Sequence, residues 1–529
     1  MLAKDLKKTT YVKGEKERIS AFEAPTFILG VVLSVLSAII CMQIIGKVGV
    51  TPNTSLIGAI VAMVIARMPI KSFLRFRSLE RQNLIQTTVS AAGFSAANCG
   101  FLTLAIFFVM GETNFIVPMA IGSLIGVVTS IFVVGKIFDS SIFPAEGSWP
   151  PGVATAQAIE AGDEGGEKGK RLLQGVILGA VASYFKLPAA GIGIVFIANI
   201  FSMAALGIGL LIRGYSGVFF SGLDLGKTYI PHGIMIGAGV MALIQSMKVI
   251  LKGKNKDKGA PVNYTQSDEA TKKNLVMGIV LFLTGALVLA IASGITSQLG
   301  GAKLILWLIW ATFSATAAML LVGMAAMHSG WFPAFAITTI FMTIGIFFGF
   351  PIVPLALLTG YVSSVGPCFA DMGYDLKTGW ILRGKGEDKE YELYGRKQQV
   401  IIELIGGVIG IIVVLLTMNL YFEADLIPPV SRVFATTVSA GADTSLLKTL
   451  LIWAVPGFLL QLAFGPSRMV GVLFATGLLI KNPIYGIGVL IAVIVRLIFG
   501  TKFMEIRDAG LIAGDGLYGF FSALLKALI

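Results

Sequence analysis

Long apolar segments recur along the whole chain and alternate with short polar segments. An apolar run of roughly 18 residues or more is long enough to cross about 30 Å of hydrocarbon as an α-helix. The pattern therefore predicts an all-α polytopic membrane protein with about 16 transmembrane helices. The predicted spans are 25–46, 54–70, 85–110, 115–136, 172–186, 189–212, 231–251, 274–294, 302–325, 332–350, 354–380, 398–420, 447–464, 467–480, 482–500 and 508–528.

One more segment, residues 214–229, is apolar but rich in glycine. It is interpreted either as a further crossing or as a re-entrant segment. The helix count and the side on which the C-terminus lies therefore stay open.

The chain contains an internal duplication. Residues 88–100 match residues 361–373 at a spacing of 273 residues, and the identical pairs include Ser90/Ser363, Gly93/Gly366, Ala97/Ala370 and Gly100/Gly373. Three further matches keep the same order along the chain at spacings of 277 to 281: 49–52 with 330–333, 150–163 with 428–443, and 233–239 with 510–516. Duplication in an apolar chain is typical of secondary transporters, which bind substrate where the two halves meet.

The duplication divides the chain into four parts. They are a cytoplasmic N-terminal tail (1–24), a first transmembrane repeat (25–251), a basic cytoplasmic loop with a linking helix (252–301) and a second transmembrane repeat (302–529).

Basic residues in the loops predict the orientation of each repeat, because Lys and Arg concentrate in cytoplasmic loops. Six basic residues precede the first span, so the N-terminus is predicted to be cytoplasmic. Loop 67–81 holds five basic residues and its counterpart 350–353 none, whereas loop 111–114 holds none and its counterpart 381–398 five. Equivalent loops therefore face opposite sides. Two inverted repeats, with broken helices and alternating access to one central site, are predicted.

Composition narrows the class of protein. The chain has 529 residues, 56% of them apolar and 13% charged, and its mean hydropathy of +0.85 excludes an ordinary soluble protein. The net charge of +12 is interpreted as an orientation signal in loops rather than as a nucleic-acid site. The three cysteines lie in apolar segments, so no disulfide framework is predicted. The first apolar run is predicted to stay as a membrane helix rather than to be cleaved as a signal peptide.

Two carboxylates in the third span of the second repeat form the main candidate site for proton coupling. Asp371 matches Asn98, which lies in the middle of the third span of the first repeat, so both are expected near mid-depth. The Gly-Pro pair at 366–367 predicts a broken helix that lines a cavity. Asp375 lies one turn further on the same helical face, and two such carboxylates favour protonation of at least one. The alternative is a structural pair satisfied by Lys377 or by helix dipoles.

A helix is predicted to begin at Pro150 and Pro151, in the segment 149–163. Its free N–H groups near Pro151, Gly152 and Thr155 are candidates for binding a carboxylate of the substrate. The acidic residues that follow at 160–164 are interpreted as part of a solvated loop.

His232 and His328 are the only histidines in the chain. His232 is a candidate for proton coupling and His328 for substrate binding, with a hydrogen-bonded structural role as the alternative. No Cys or carboxylate stands at a metal-ligand spacing from either histidine, so no metal site is predicted. Asp515 is a further candidate for proton coupling because its counterpart in the first repeat is Ala238. For Asp515 the alternative is a position near the cytoplasmic boundary.

Four segments carry a resemblance to a known family. They are 80–93, 150–166, 371–379 with 397–399, and 509–517, and the most specific is the pattern Asp-x3-Asp-Leu-Lys-Thr-Gly that begins at Asp371. In these segments the chain resembles bacterial members of the oligopeptide transporter family, which includes the yellow-stripe-like metal–chelate transporters. Residues 329–334 depart from the Asn-Pro-x-Ser-Gly stretch of many bacterial members.

The resemblance implies proton-coupled symport of short peptides or metal–chelate complexes by a helical and often dimeric protein of the plasma membrane. Asn98, which matches Asp371, and Lys377 and Thr378, which lie in the family signature, are further candidates for substrate binding. The expected partners are a small solute, protons and the lipid bilayer, without nucleic acid and without a cofactor. The alternative function is a passive channel, since channels also contain inverted repeats. An intramembrane enzyme would need a catalytic cluster, which the sequence does not offer.

Overall fold

The computed structural model describes residues 17–528 apart from 49–53, 56–57, 60–61, 63–74, 165, 220–224, 226–227, 229, 253–263, 331, 441–443, 466–467 and 481. Every regular element in these ranges is helical, as the hydropathy pattern predicts. Several sequence features lie partly or wholly outside the described residues: the tail before residue 17, the repeat motif at 49–52, the end of span 54–70, most of loop 67–81, part of 214–229 and the lysine-rich segment 253–263.

The described helices, in chain order, are α1 Ala24–Val48, α2 Leu79–Phe94, α3 Leu102–Met110, α4 Ile116–Ile137, α5 Pro150–Glu164, α6 Gly166–Tyr184, α7 Ala189–Ile197, α8 Ile200–Phe219, α9 Ile230–Lys252, α10 Asp268–Ala292, α11 Ile295–Gln298, α12 Gly301–Ser329, α13 Ala334–Phe347, α14 Ile352–Ser363, α15 Gly366–Leu382, α16 Lys389–Glu423, α17 Pro429–Ala440, α18 Thr444–Phe464, α19 Val470–Leu479, α20 Pro483–Phe499 and α21 Arg507–Leu528. A π-helical segment, Ser95–Phe101, joins α2 to α3.

Eight helical stretches within these ranges are long and apolar enough to cross a membrane. They are Ala24–Gly46, Leu79–Met110, Thr113–Ile137, Ile200–Val218, Asp268–Ala292, Gly301–Ser329, Ile352–Leu382 and Lys389–Glu423. The chain is thus a multi-pass membrane protein. The expected count of about 16 crossings stays a prediction, because several of the predicted spans form shorter helices.

The order of helices in the first half repeats in the second. The series α1, α2–α3, α4, α5, α6, α7, α8 and α9 corresponds to α12, α14–α15, α16, α17, α18, α19, α20 and α21, with α10 and α11 between the two series. In both series the same stretch is interrupted: α2–α3 by the π-helical segment, and α14–α15 by residues 364–365.

Matching helices of the two halves pack antiparallel to each other. Along α2 and α15, Gln86 contacts Asp375 whereas Ser95 contacts Cys368, so the residue numbers run in opposite directions. Ser95 and Cys368 are themselves 273 residues apart, the spacing of the duplication, and their Oγ and Sγ atoms lie 3.4 Å apart. A pseudo-two-fold axis therefore passes between these two residues.

Helices α8 and α20 repeat this arrangement. A Cβ atom on Gly207 would lie 2.8 Å from Cγ of Leu490, and Gly214 packs against Pro483. The two helices therefore also run antiparallel. This is the geometry that inverted repeats require, as the distribution of basic loops predicts.

The contacts between helices divide the structure into two bundles. The first bundle contains α1–α4, α10 and α12–α16, and the second contains α6–α9 and α18–α21. Between them, α5 packs against both α15 and α21, while α17 packs against α3. Helix α5 thus lies where the bundles meet, whereas α17 packs on the first bundle.

Glycine residues allow close packing inside the second bundle. Gly175 and Gly179 of α6 face Gly510 and Gly514 of α21, and a Cβ atom on Gly514 would lie 2.7 Å from the backbone nitrogen of Ala180. The corresponding pair, α9 and α18, packs in the same way. Because lipid tails are as apolar as the helices, such small-residue contacts supply much of the attraction between membrane helices.

Two predicted spans are divided in the structure. Span 189–212 forms α7 and α8 because Ala198 is extended and the side chain of Asn199 accepts hydrogen bonds from Phe201 N and Ser202 N at the start of α8. Span 354–380 forms α14 and α15, and Pro367 lies in the first turn of α15, where its missing N–H has no helical partner to lose.

Candidate functional site

A cavity of about 870 Å³ lies where the two bundles meet. This volume falls within the range of small-molecule sites. Much of the wall is aromatic or aliphatic, and includes Phe94, Phe332, Phe335, Leu479, Ile480 and Tyr485. The polar and charged side chains in the wall include Asn98, Lys186, Asp371, Asn482 and Asp515.

Three carboxylates meet beside this wall. Asp371 lines the cavity, Asp375 follows one turn later on α15, and Glu403 approaches from α16. One oxygen atom of each residue lies within 4.8 Å of the other two. All three residues are buried, with at most 2% of their surface exposed. We refer to Asp371, Asp375 and Glu403 as the carboxylate cluster.

Neutral donors from the first half surround the cluster. Ser90 Oγ donates to Asp371 Oδ1 at 2.9 Å. Ser55 Oγ and Gln86 Nε2 donate to Asp375 Oδ1 at 2.8 and 2.6 Å. These bonds fix the positions of the carboxylates, but they do not cancel negative charge.

No ion pair joins the carboxylate cluster to Lys or Arg within the described ranges. Each pair of like charges at such a separation repels by about 3 kcal/mol at an effective dielectric constant of about 20. A proton shared between neighbouring carboxyl groups of the cluster would remove part of this repulsion. The cluster is therefore suited to taking up protons or a cation.

Among the residues that the structure describes, the cluster also brings together side chains that could hold a metal ion. Its ligand atoms are all oxygens, which suit hard cations such as Mg²⁺, Ca²⁺ and Mn²⁺ rather than the soft metals that cysteine binds. Residue spacings along the chain predict no metal site, since they do not bring these three carboxylates together. Glu403 lies 28 residues beyond Asp375 and on another helix, so spacing alone does not bring them together.

A buried polar network continues from the cluster on the side away from the cavity. Gln399 Nε2 donates to the carbonyl oxygen of Asp375 at 2.7 Å, and Gln399 Oε1 accepts from Arg383 Nη2 at 2.8 Å. Arg383 forms an ion pair with Glu392 at 2.7 Å, and neither side chain is exposed. Because none of these three residues lines the cavity, the cavity ends near Asp371.

The start of α5 packs against α15. Thr378 Oγ1 donates to the carbonyl oxygen of Gly152 at 3.0 Å, and a Cβ atom on Gly152 would lie 2.8 Å from Cβ of Lys377. Pro151 reaches the cavity wall, whereas Thr155 is buried and donates to the carbonyl oxygen of Pro151 at 2.8 Å. Of these candidate binding residues, only Pro151 lines the cavity.

The side chain of Lys377 points to other partners than the aspartates. Its Nζ donates to the carbonyl oxygen of Ala145 at 2.7 Å and lies 4.4 Å from the centre of the Trp380 ring. The structural alternative in which Lys377 neutralises Asp371 and Asp375 is therefore not found.

The remaining candidates lie apart from the cluster. Asn98 lines the cavity from the π-helical segment, and Asp515 lines it from α21, in the opposite bundle. His232 lies near the start of α9 and His328 near the end of α12, and neither histidine lines the cavity.

Sequence reasoning missed Glu403, Gln86 and Gln399. Glu403 stands in the segment KQQVIIELIGG, so a carboxylate inside an apolar run was the available signal. Gln86 and Gln399 lie in segments 80–93 and 397–399, which carry the family resemblance but no local signal for a contact with Asp375. Their approach to Asp375 depends on how three helices pack.

A family model described as OPT oligopeptide transporter protein matches residues 25–213 and 214–526. Searches of curated proteins and of solved structures find no match to the chain.

Proposed function

Because the chain belongs to the OPT oligopeptide transporter family, we propose that it is a secondary active transporter that imports short peptides, or peptide-like and metal–chelate solutes, together with protons. It acts as a transporter rather than as an enzyme. It resides in the plasma membrane with a cytoplasmic N-terminus, and it is related to bacterial members of the family and to the yellow-stripe-like transporters.

One observation carries the proposal: Asp371 belongs both to the cavity wall and to the buried carboxylate cluster. A substrate in the cavity therefore adjoins the group that holds the protons. Binding of either one changes the electrostatic environment of the other, which is what coupling of two solutes requires.

The antiparallel packing of the two halves supports alternating access. Two halves of similar shape and opposite orientation can exchange conformations, so that one mouth closes while the other opens. In the conformation described here the cavity ends at the cluster, and the buried residues Gln399, Arg383 and Glu392 lie beyond it. A closed end of this kind favours a carrier over a continuously open channel.

The cavity suits a peptide-sized solute. At about 30 Å³ per molecule of liquid water, its 870 Å³ corresponds to about thirty waters. Lys186 in the wall suits a carboxylate, and the mainly apolar wall suits side chains. A metal ion would enter wrapped in such a solute, as a chelate.

Transport into proteoliposomes tests the proposal. With an imposed pH gradient, acid outside, we expect uphill accumulation of a radiolabelled peptide such as trialanine. Asp371→Asn should keep counterflow exchange but lose the accumulation, because Asn has the shape of Asp without a titratable proton. Asp425→Asn, whose side chain is 82% exposed, is the matched control.

Three results would contradict the proposal in different ways. Equilibration of the peptide without accumulation would indicate the passive channel. Accumulation driven by a Na⁺ or Mg²⁺ gradient, and not by the pH gradient, would show that the cluster couples to a cation. Full accumulation by Asp371→Asn would make Asp371 structural.

A further inference from the structure

A second acidic side chain faces the cavity from the opposite bundle. Asp371 lies on α15 in the first bundle and Asp515 on α21 in the second, and both line the cavity. Asp515 accepts hydrogen bonds from the hydroxyl group of Ser183 and from the backbone N–H of Ala190. Both donors are neutral, and no ion pair of Asp515 is found in the described part of the chain.

A purely structural role for Asp515 would be to cap α7, since Ala190 is the second residue of that helix. Acids stabilise helix N-termini. The duplication tests whether the fold needs such a cap. In the matching helix α19 the N–H of Gly471, also the second residue, donates to the neutral side chain of Gln461 at 3.1 Å, and the residue of α9 that corresponds to Asp515 is Ala238. The same packing therefore forms without an acid, and the charge at 515 calls for another explanation.

The end of α6 adds negative potential beside Asp515. Leu187 N donates to Ala182 O and Lys186 N to Ser183 O, which closes the helix with a Schellman motif. The C-terminal end of a helix carries a partial negative charge. Lys186 occupies the left-handed position, with φ of 60°, where glycine is usual, and it lines the same cavity. A strained turn thus places a helix C-terminus, a carboxylate and a lysine at one side of the cavity.

We propose that Asp515, positioned by Ser183, binds the ammonium group of the transported solute. The ligand class is a solute with a free primary amine, such as a peptide with an unblocked N-terminus. The inference rests on the proposed function and assigns the two acids different tasks: Asp371 belongs to the proton site, and Asp515 selects the substrate. A solute bound at Asp515 would reach towards Asp371 across the gap between the bundles.

Two peptides and two variants test this assignment. The peptides are trialanine and N-acetyltrialanine, which differ in the ammonium group. Asp515→Asn keeps an acceptor for Ser183 and Ala190, since Asn also caps helices well, but it removes the charge. In equilibrium binding to the purified protein, we expect Asp515→Asn to weaken trialanine at least tenfold and to leave N-acetyltrialanine unchanged. Asp371→Asn should keep the preference for the free amine.

A preference for trialanine that survives Asp515→Asn would overturn the assignment. Loss of that preference in Asp371→Asn alone would move the ammonium group to the carboxylate cluster. If the wild-type protein binds neither peptide, the proposed peptide transport is wrong. The ammonium site can then be tested separately by thermal stabilisation with hexylammonium, with hexanol as the neutral control. Stronger thermal stabilisation by hexylammonium in the wild type than in Asp515→Asn supports the site, and equal stabilisation overturns it.

Discussion

Glu403 contributes the third carboxylate of the cluster from α16, a helix none of whose residues lines the cavity. It is 1% exposed and one of its oxygen atoms lies within 4.8 Å of an oxygen atom of Asp375, so the two carboxyl groups are close enough to exchange a proton. Three neighbouring carboxylates bind and release protons as a coupled group. Removal of one carboxylate therefore changes how readily the other two bind protons.

We therefore expect Glu403→Gln to lower pH-driven accumulation of substrate at least tenfold while counterflow exchange remains. Gln fills the same volume and can still hydrogen-bond to Asp375, but it cannot release a proton. Glu390→Gln, on the same helix with a side chain that is 80% exposed, is the control and should transport normally. Equal loss of exchange and accumulation in Glu403→Gln would instead indicate a structural role.

At the scale of residues, the sequence predicts contacts only between residues of the same helix. Asp371 and Asp375 were paired correctly because residues four apart lie on one helical face. Glu403 and Gln86 join them only through packing of α2, α15 and α16, which local periodicity does not encode. The roles of all these residues in transport stay predictions.

At the scale of helices, α6 and α21 show how glycine determines the packing of the second bundle. Their axes approach so closely that a Cβ atom on Gly514 would meet the backbone of Val176 and Ala180. Ser183 of α6 and Asp515 of α21 lie at the end of this glycine contact and are hydrogen-bonded to each other. The same packing therefore sets the position of the proposed ammonium site.

Gly514→Ala should lower the free energy of unfolding by about 1–3 kcal/mol, because the helix backbones must move apart to admit the methyl group. Gly516→Ala is the matched control, since a Cβ atom there meets no other atom within 4 Å. It should be neutral or slightly stabilising, because Ala favours helix more than Gly does. Thermal denaturation in detergent measures both, and equal melting temperatures for the two variants would contradict this account.

Helix positions were predicted well where the chain carries a strong local signal. The start of α5 follows from Pro150 and Pro151, and the interruption before α15 follows from Gly366 and Pro367. The break between α7 and α8 was missed because Ala198 and Asn199 lie in an otherwise apolar run. Asn199 was the available signal, since its side chain caps α8.

On the scale of the whole molecule, the sequence predicts that the halves are duplicated and oppositely oriented, and the antiparallel contacts of α2 with α15 agree with this. The duplication predicts a binding site where the two halves meet, but not the full set of residues that line it, because the wall combines residues from both bundles and both halves. Its position depends on packing across the duplication rather than on any one segment.

Labelling of single cysteines tests the orientation in the membrane. Thr113→Cys and Glu387→Cys, both at exposed positions, should react with an impermeant thiol reagent from opposite sides of the membrane. Thr113→Cys should label in intact cells, and Glu387→Cys only after lysis. If both label from the same side, the halves are not inverted in the bilayer.

The contact between Ser95 and Cys368 has a further consequence for the transport cycle. If the halves exchange conformations, a pair that straddles the axis is mapped onto itself and stays in contact throughout. The hydrogen bond from Ser90 to Asp371, which lies off the axis, is mapped onto Ser363 and Asn98. The contacts in this state therefore predict those in the state with the opposite opening, which we call the mirror state. In the mirror state Asn98 and Ser363 are expected to be in contact.

In a Cys99→Ala background, a disulfide between Ser95→Cys and Cys368 should form under oxidation and leave transport intact. A disulfide between Asn98→Cys and Ser363→Cys, made in a background without other cysteines, should trap the mirror state and stop transport until it is reduced. If the first cross-link stops transport, these two helices must move relative to each other at Ser95 and Cys368. The pseudo-two-fold axis would then not stay fixed during the change from one state to the other.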